Sequence, residues 1–449
     1  MEGTFADSLW VIVCSVFVFI MQPGFTALEA GFTRSKNAIN VAMKNLSDFL
    51  LSSIIFWMVG YGLMFGVTQS GLLGTSNFLS SWHDETINQA SFFLFQTAFC
   101  ATAATLTSGA VAERMRFVSF LYMIILLSAL IYPVFGHWAW HPEGWLNALG
   151  FYDFAGSTVV HSLGGWVALA AVIILGPRTG RFDEDNKPRH IPGSNVALST
   201  LGFLMIWIGW LGFNGGSTGK FSPDVVSIMI NTIIGGAAGG ATIIVYFHGY
   251  KRQIIKPDLL INGALAGLVS VTASANIISP IYAFLIGSIS AFAMLTCNWA
   301  LLKLRIDDVI GVVPVHLAGG IWGTLCVPIF ASPDLIVDTS LYGKSMGEQL
   351  LIQLTGIIVC GIWAFGLTYI ALSLINKISP LRINQLGEIK GLNIVEHGAT
   401  TEIIDFLSAL DEMHKTSDLS VRAPVEPFTE IGQIAEKYNA VMDRLQITT

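Results

Sequence analysis

Two histidines in this chain stand in matched surroundings. Asp153-Phe-Ala-Gly-Ser-Thr-Val-Val-His161 is followed by Ser-Leu-Gly-Gly, and Asp308-Val-Ile-Gly-Val-Val-Pro-Val-His316 by Leu-Ala-Gly-Gly. In both, an Asp precedes the His by eight residues, a Val precedes it by one, and a Gly pair follows at the third and fourth positions. Imidazole is the side chain that takes up and returns protons near neutrality. Both histidines lie in apolar stretches, where an ionisable group is costly and marks a path or a site. Matched positions in a repeated unit point to one shared site at the interface of the repeats.

The elements that must position them are membrane spans. The chain has 449 residues, 53% hydrophobic and 12% charged, with mean hydropathy +0.64; a soluble domain carries about 25% charge. About 20 apolar residues cross the hydrocarbon as a helix. Spans are expected near 8–33, 45–66, 90–112, 117–136, 157–177, 195–214, 224–248, 258–274, 279–302, 309–330 and 348–376. This predicts an all-α, polytopic membrane protein of 11 transmembrane helices.

Basic residues concentrate in alternate loops, at Arg34, Lys36 and Lys44, at Arg114 and Arg116, at 178–189, at 251–256, and at Lys303 and Arg305. The intervening loops hold only Lys220 and Lys344. The positive-inside rule then places the N-terminus outside and the C-terminus in the cytoplasm of the inner (plasma) membrane. Trp82, Trp138, Trp140 and Trp145 fall on the outer side, as interfacial aromatics do. Copies made of spans 1–5 and 6–10 must be inverted, because each has an odd number of spans. His161 and His316 then occupy the last span of each copy.

The five cysteines sit in apolar stretches without a CxxC and read as small buried hydrophobes. The start of the chain has no basic run or Ala-x-Ala site, so no signal peptide is expected. No basic stripe suggests nucleic acid. No metal site or cofactor is expected, and the spans carry no Gly-rich phosphate loop or nucleophile elbow, which argues against an enzyme.

The stretch Gly24-Phe-Thr-Ala-Leu-Glu-Ala-Gly-Phe-Thr-Arg-Ser-Lys-Asn, the Asp153–His161 segment, Gly209-Trp-Leu-Gly-Phe-Asn-Gly-Gly-Ser217, Ala112-Glu-Arg114, Asp307-Asp308…His316 and Leu381-Arg382…His397-Gly398 together resemble the ammonium transporter family. The resemblance covers roughly residues 1–400. It implies a trimer with one pore per subunit. It implies ammonium recruitment by Trp140, Ser217 and Phe99, a gate of Phe99 and Phe213, the pore histidines His161 and His316, and Asp153 as a supporting acid. The chemistry agrees. NH4+ is a cation with four N–H donors, suited to an aromatic face and hydroxyl acceptors. A bare ion faces several kcal/mol of desolvation in hydrocarbon (~5 kcal/mol), whereas neutral NH3 escapes most of that.

The chain departs from the family pattern at Ser157, at Gly311, Val313 and Pro314 before His316, and at Asn393. Ser157 stands where Gly is common. Pro314 lies two residues before His316, which predicts a kink in the tenth span and an altered pore. Asn393 stands where the tail motif has Asp, which predicts an altered tail contact. Glu29, Glu113 and Asp153 read as caps or loop contacts, and Arg114 and Arg116 as ordinary inner-face charges.

Residues 1–378 thus form the transmembrane domain and 379–400 the cytoplasmic tail motif. Residues 401–449 continue as helix, connector and helix. Ile431, Ile434, Tyr438, Val441 and Leu445 step by three and four, a coiled-coil seam. Asp418-Leu-Ser-Val-Arg422 and the segment from Glu430 resemble a HAMP signalling module. That resemblance implies a histidine kinase output domain or another cytoplasmic signalling partner beyond Thr449. The expected function is an ammonium sensor. The alternative is an ammonium transporter whose tail is regulatory.

Overall fold

The computed structural model describes residues 4–82, 86–337 and 339–448. Residues 1–3, within the stretch read for a signal peptide, and Thr449 lie outside the described residues. The chain is mostly helical. Ten long apolar helices are α1 (Phe5–Phe32), α2 (Ser35–Phe65), α3 (Ile87–Val111), α4 (117–140), α5 (Ser157–Leu175), α6 (Val196–Gly216), α7 (Asp224–Tyr250), α9 (Pro280–Lys303), α10 (Val313–Phe330) and α11 (Met346–Ile378). Between α7 and α9 lies α8 (Pro257–Val271). At 15 residues it rises about 22 Å, short of the roughly 30 Å hydrocarbon core.

The eighth expected span is therefore a short helix continued by irregular chain. That chain is enclosed by protein. Phe154 and Ala155 N–H donate to the carbonyls of Ala273 and Thr272, and the Asn231 amide donates to those of Ala275 and Ile278. Non-helical backbone at membrane depth is tolerated only where protein satisfies it. Two other expected boundaries move. The second span starts at Ser35 rather than near 45, so Lys44 is a buried helical residue rather than a loop charge. The fourth span runs on to Trp140, because a π-turn at Leu127–Ile131 lets it pass Pro133.

Caps fix three of the helix starts. Thr4 with Asp7, Thr86 with Gln89 and Ser345 with Glu348 form reciprocal capping boxes on α1, α3 and α11, each satisfying two otherwise orphaned groups.

Glycines set how closely the two five-helix units approach. Their first helices, α1 and α6, lie against each other through Gly24 and Gly202, where a methyl group would strike the facing backbone. Their last helices, α5 and α10, cross at the Gly pairs that follow the histidines. A Cβ on Gly165 would sit 2.7 Å from the Leu317 nitrogen, and one on Gly320 would sit 3.1 Å from the Ser162 nitrogen. Each Gly pair thus meets the residue just after the opposite histidine. Small residues permit such crossings where no hydrophobic drive separates helix from lipid.

The C-terminal ends of α1 and α3 are tied by ion pairs. Glu113 is reached by Arg34 at 2.7 Å and Arg178 at 3.0 Å; Asp307 is reached by Arg178 at 2.7 Å and Arg181 at 3.0 Å. Arg114, expected to be an ordinary inner-face charge, is fully buried and donates to the Asp307 carbonyl. Residues 381–397 dock on this network. Arg116 N–H bonds the Leu381 carbonyl, and Ile383 N–H bonds that of Arg114. Asn393 is buried: its oxygen accepts from Asn40 N–H and its amide donates to the Ser35 carbonyl. An ionised Asp could not make the second bond.

Beyond them, α12 (Glu402–Thr416) and α13 (Glu430–Thr448) are joined by a 13-residue connector. Arg422 bonds Asp443, Asn439 brackets Ala423 with two hydrogen bonds, and Glu426 lies against Gly432. Rising numbers in the connector meet falling numbers in α13, so the connector runs antiparallel to α13. The end of α12 therefore lies near the end of α13, and the two helices run parallel.

Candidate functional site

The site is built from the middle of α3, the C-terminal ends of α4 and α6, and the N-terminal ends of α5 and α10. At one end a cavity of about 200 Å³ is lined by Trp140, Phe99 and Ser217, with Phe92, Phe95, Gln96 and Phe154 around them. The Trp140 indole N–H is occupied by the Asp153 carbonyl at 2.7 Å. What Trp140 offers the cavity is a ring face, the part of an aromatic that attracts cations. The Ser217 hydroxyl donates to the Phe213 carbonyl one turn back, at 2.8 Å. Its proton is used and its oxygen remains to accept, which suits an N–H donor.

Beneath the cavity Phe99 and Phe213 are stacked, with centroids 3.9 Å apart and planes 11° apart. Both are fully buried. Under Phe213 lies His161, at 5.4 Å, and the His161 and His316 rings follow at 5.3 Å from each other. The two Nδ1 atoms are 3.3 Å apart, so one donates and the other accepts. His161 Nε2 is buried without a protein partner.

The matched sequences fold in matched ways. Asp153 accepts from the N–H groups of Gly156, Ser157, Thr158 and Val159 at 2.8–3.0 Å. Asp308 accepts from Gly311 and Val313 at 3.0 and 2.7 Å. Each Asp thus caps the helix that carries its histidine and complements the positive helix end. Each histidine sits in a π-turn, Ser157–Ser162 or Val313–Ala318, a distortion frequent at functional positions.

The kink expected from Pro314 does not occur for the reason given. Pro314 lies in the first turn of α10, where its missing N–H has no intrahelical partner to lose. The π-turn of α5 forms without any proline, so the turn belongs to the repeat. Ser157, in the place of the commoner Gly, is accommodated by donating to the Val269 carbonyl at 2.7 Å.

Sequence reasoning missed Trp210. It stacks on His161 at 4.8 Å and is anchored by an indole bond to Thr272. The available signal was its spacing, three residues before Phe213 on one helical face. It also misplaced Glu29. This carboxyl caps nothing; it is fully buried between α1, α2 and α3.

A family model described as Ammonium Transporter Family matches residues 9–402. The chain belongs to the ammonium transporter family. It is 46% identical to a putative ammonium transporter of Synechocystis sp. over 99% of this chain and 83% of that protein. It is 39% identical to the ammonium transporter Amt2 of Archaeoglobus fulgidus, over 88% of this chain and 87% of the relative. Among solved structures, a sensor Amt protein superimposes with TM-score 0.83 at 41% identity, covering 87% of this chain and 98% of its own. Candida albicans Mep2 superimposes with TM-score 0.79 at 27% identity, covering 95% of each chain.

Proposed function

We propose that this protein recruits ammonium at the outer cavity and reports its occupancy to the cytoplasm. The observation that carries the ammonium reading is the column of Trp140, Ser217, the Phe99–Phe213 stack and the His161–His316 pair. It offers, in order, a cation-attracting face, an acceptor oxygen, a dry closure and a proton-exchanging pair. Trp140, Ser217 and Phe99 act in recruitment, Phe99 and Phe213 as the gate, and Asp153 as the support of α5.

The sensing half rests on the tail. Residues 1–378 serve as the membrane domain, 379–400 as the docked tail motif and 401–449 as a HAMP-like unit. The parallel course of α12 and α13 is the arrangement such a unit needs. Ile434 and Val441 leave its seam exposed for a partner helix. In this reading the protein is a homotrimer in the plasma membrane, with its N-terminus outside and its tail and signalling partner in the cytoplasm. One relative of known structure is named a sensor Amt protein.

A second reading, ammonium transport with a regulatory tail, is favoured by the apposed histidines and by relatives named as transporters. Currents from protein reconstituted in liposomes separate the two. Saturable ammonium binding without current supports sensing. Current that saturates with ammonium and disappears in His161→Ala supports transport.

A further inference from the structure

On the cytoplasmic side of the histidine pair lies a second cavity, with room for about one water-sized molecule. His316 forms part of its wall and Glu29 another part, with Asn262, Ile310 and Gly311 towards the cytoplasm. Those last three residues also line the larger inner vestibule of about 290 Å³.

Glu29 is fully buried. Its carboxyl oxygens accept from the Ser108 hydroxyl at 2.6 and 2.8 Å and from the Asn45 amide at 2.9 Å. All of these partners are neutral. Among the described residues no cation lies within ion-pair distance of Glu29; the buried Lys44 ammonium turns instead to the Met115 carbonyl at 2.7 Å. Asp48 extends the same polar seam, bonded to Thr105, but is not on the cavity wall. A bolt between three helices needs hydrogen bonds, which a Gln would supply without the risk of a buried charge. A carboxyl at membrane depth without a counter-ion is costly and marks a role.

We infer that Glu29 is a proton acceptor for the histidine pair. The inference rests on the ammonium reading of that pair. At the histidines an N–H bond of NH4+ breaks, the electron pair stays on nitrogen to leave NH3, and the proton bonds to an imidazole nitrogen. The imidazole then passes it across the cavity to a Glu29 oxygen and returns to its neutral form. In sum, NH4+ and the Glu29 carboxylate become NH3 and the Glu29 carboxylic acid. Ser108 and Asn45 hold the carboxyl in place in either state.

Infrared difference spectra of the full-length protein in lipid at alkaline pH, where the buried carboxyl starts ionised, with and without ammonium chloride, test this. The expected result is a protonated-carboxyl carbonyl band gained with ammonium. The band shifts when the glutamates carry carbon-13, disappears in Glu29→Gln and remains in Asp48→Asn. Isotope labelling of the unaltered protein keeps the test decisive if Glu29→Gln fails to fold. A band that persists in Glu29→Gln overturns the inference, as does binding heat from ammonium without any glutamate-derived band. In both of those cases the ammonium reading stands. If the unaltered protein shows neither binding heat nor a spectral change with ammonium, both fall together.

Discussion

Asp153 holds four backbone N–H groups at once, and this explains why the acid recurs eight residues before each histidine. A buried donor left without an acceptor costs about 1–3 kcal/mol. Asp153→Ala strands four of them, and the expected loss of stability exceeds about 3 kcal/mol. Asp153→Asn keeps one acceptor oxygen and is expected to lose roughly half as much. Thermal unfolding of the purified variants measures both, and an Ala variant that melts with the unaltered protein contradicts the assignment. Single residues were legible where the sequence repeats itself, as at Asp153, His161, Asp308 and His316. Glu29 and Trp210 were not. Their significance comes from neighbours more than 50 residues away in sequence, Ser108 for one and Thr272 for the other. Periodicity tells which residues share a face, and is silent about what that face meets.

Among the elements, α10 carries the strongest test. If Pro314 occupies a first-turn position without a lost hydrogen bond, Pro314→Ala changes stability by less than about 1 kcal/mol and leaves ammonium affinity within about twofold. A loss of ammonium binding in that variant would restore the kink as the determinant of pore shape. The loop between α3 and α4 gives a pH prediction. Burial alone would raise the Glu113 carboxyl, but Arg178 and Arg34 outweigh it and hold the group down to about 2 from an ordinary 4.5. A carboxyl lowered on folding contributes stability that is fully present above its unfolded value and is lost as pH falls through its folded value. The contribution is therefore complete above about pH 4.5 and fades towards pH 2. Asp307 is likewise held below the usual carboxylate range: Arg178 and Arg114 overcome its burial. Acid unfolding followed by tryptophan fluorescence should show a shallower slope in Glu113→Gln over that window, and an unchanged slope refutes the ion network as its source. The helices themselves were legible from hydropathy. The start of α2 was less so, because charge at a helix start reads as loop until a buried partner, such as the Met115 carbonyl for Lys44, is seen; α8 starts where expected but ends early, at Val271.

For the whole molecule, the ion-pair network joins the start of α10 to residues 381–397. Asp307 adjoins Asp308, the cap of α10, and shares Arg178 with Glu113; Arg114 and Arg116 then bond the backbone of residues 381–383. Among the described residues, none of α12 or α13 lines the cavity beside Trp140. Deletion of 401–449 is therefore expected to leave ammonium affinity within about twofold while abolishing any signal read in the cytoplasm. A large fall in affinity would mean that the tail shapes the recruitment site itself. The sequence showed that the tail is organised, since its seam repeats at helical spacing. It did not show which groups hold 381–397 against α2, because side chains such as Asn393 meet partners more than 350 residues away in sequence.

Calorimetric titration of ammonium against the purified protein tests the central claim, that a small cation is captured between Trp140 and Ser217 above the histidine pair. A cation–π contact of about 0.5–2 kcal/mol predicts saturable binding that Trp140→Leu weakens by roughly 2–30-fold, with Trp140→Phe between the two. Ser217→Ala should weaken it further. No saturable heat in the unaltered protein, or an affinity indifferent to both Trp140→Leu and Ser217→Ala, contradicts the account.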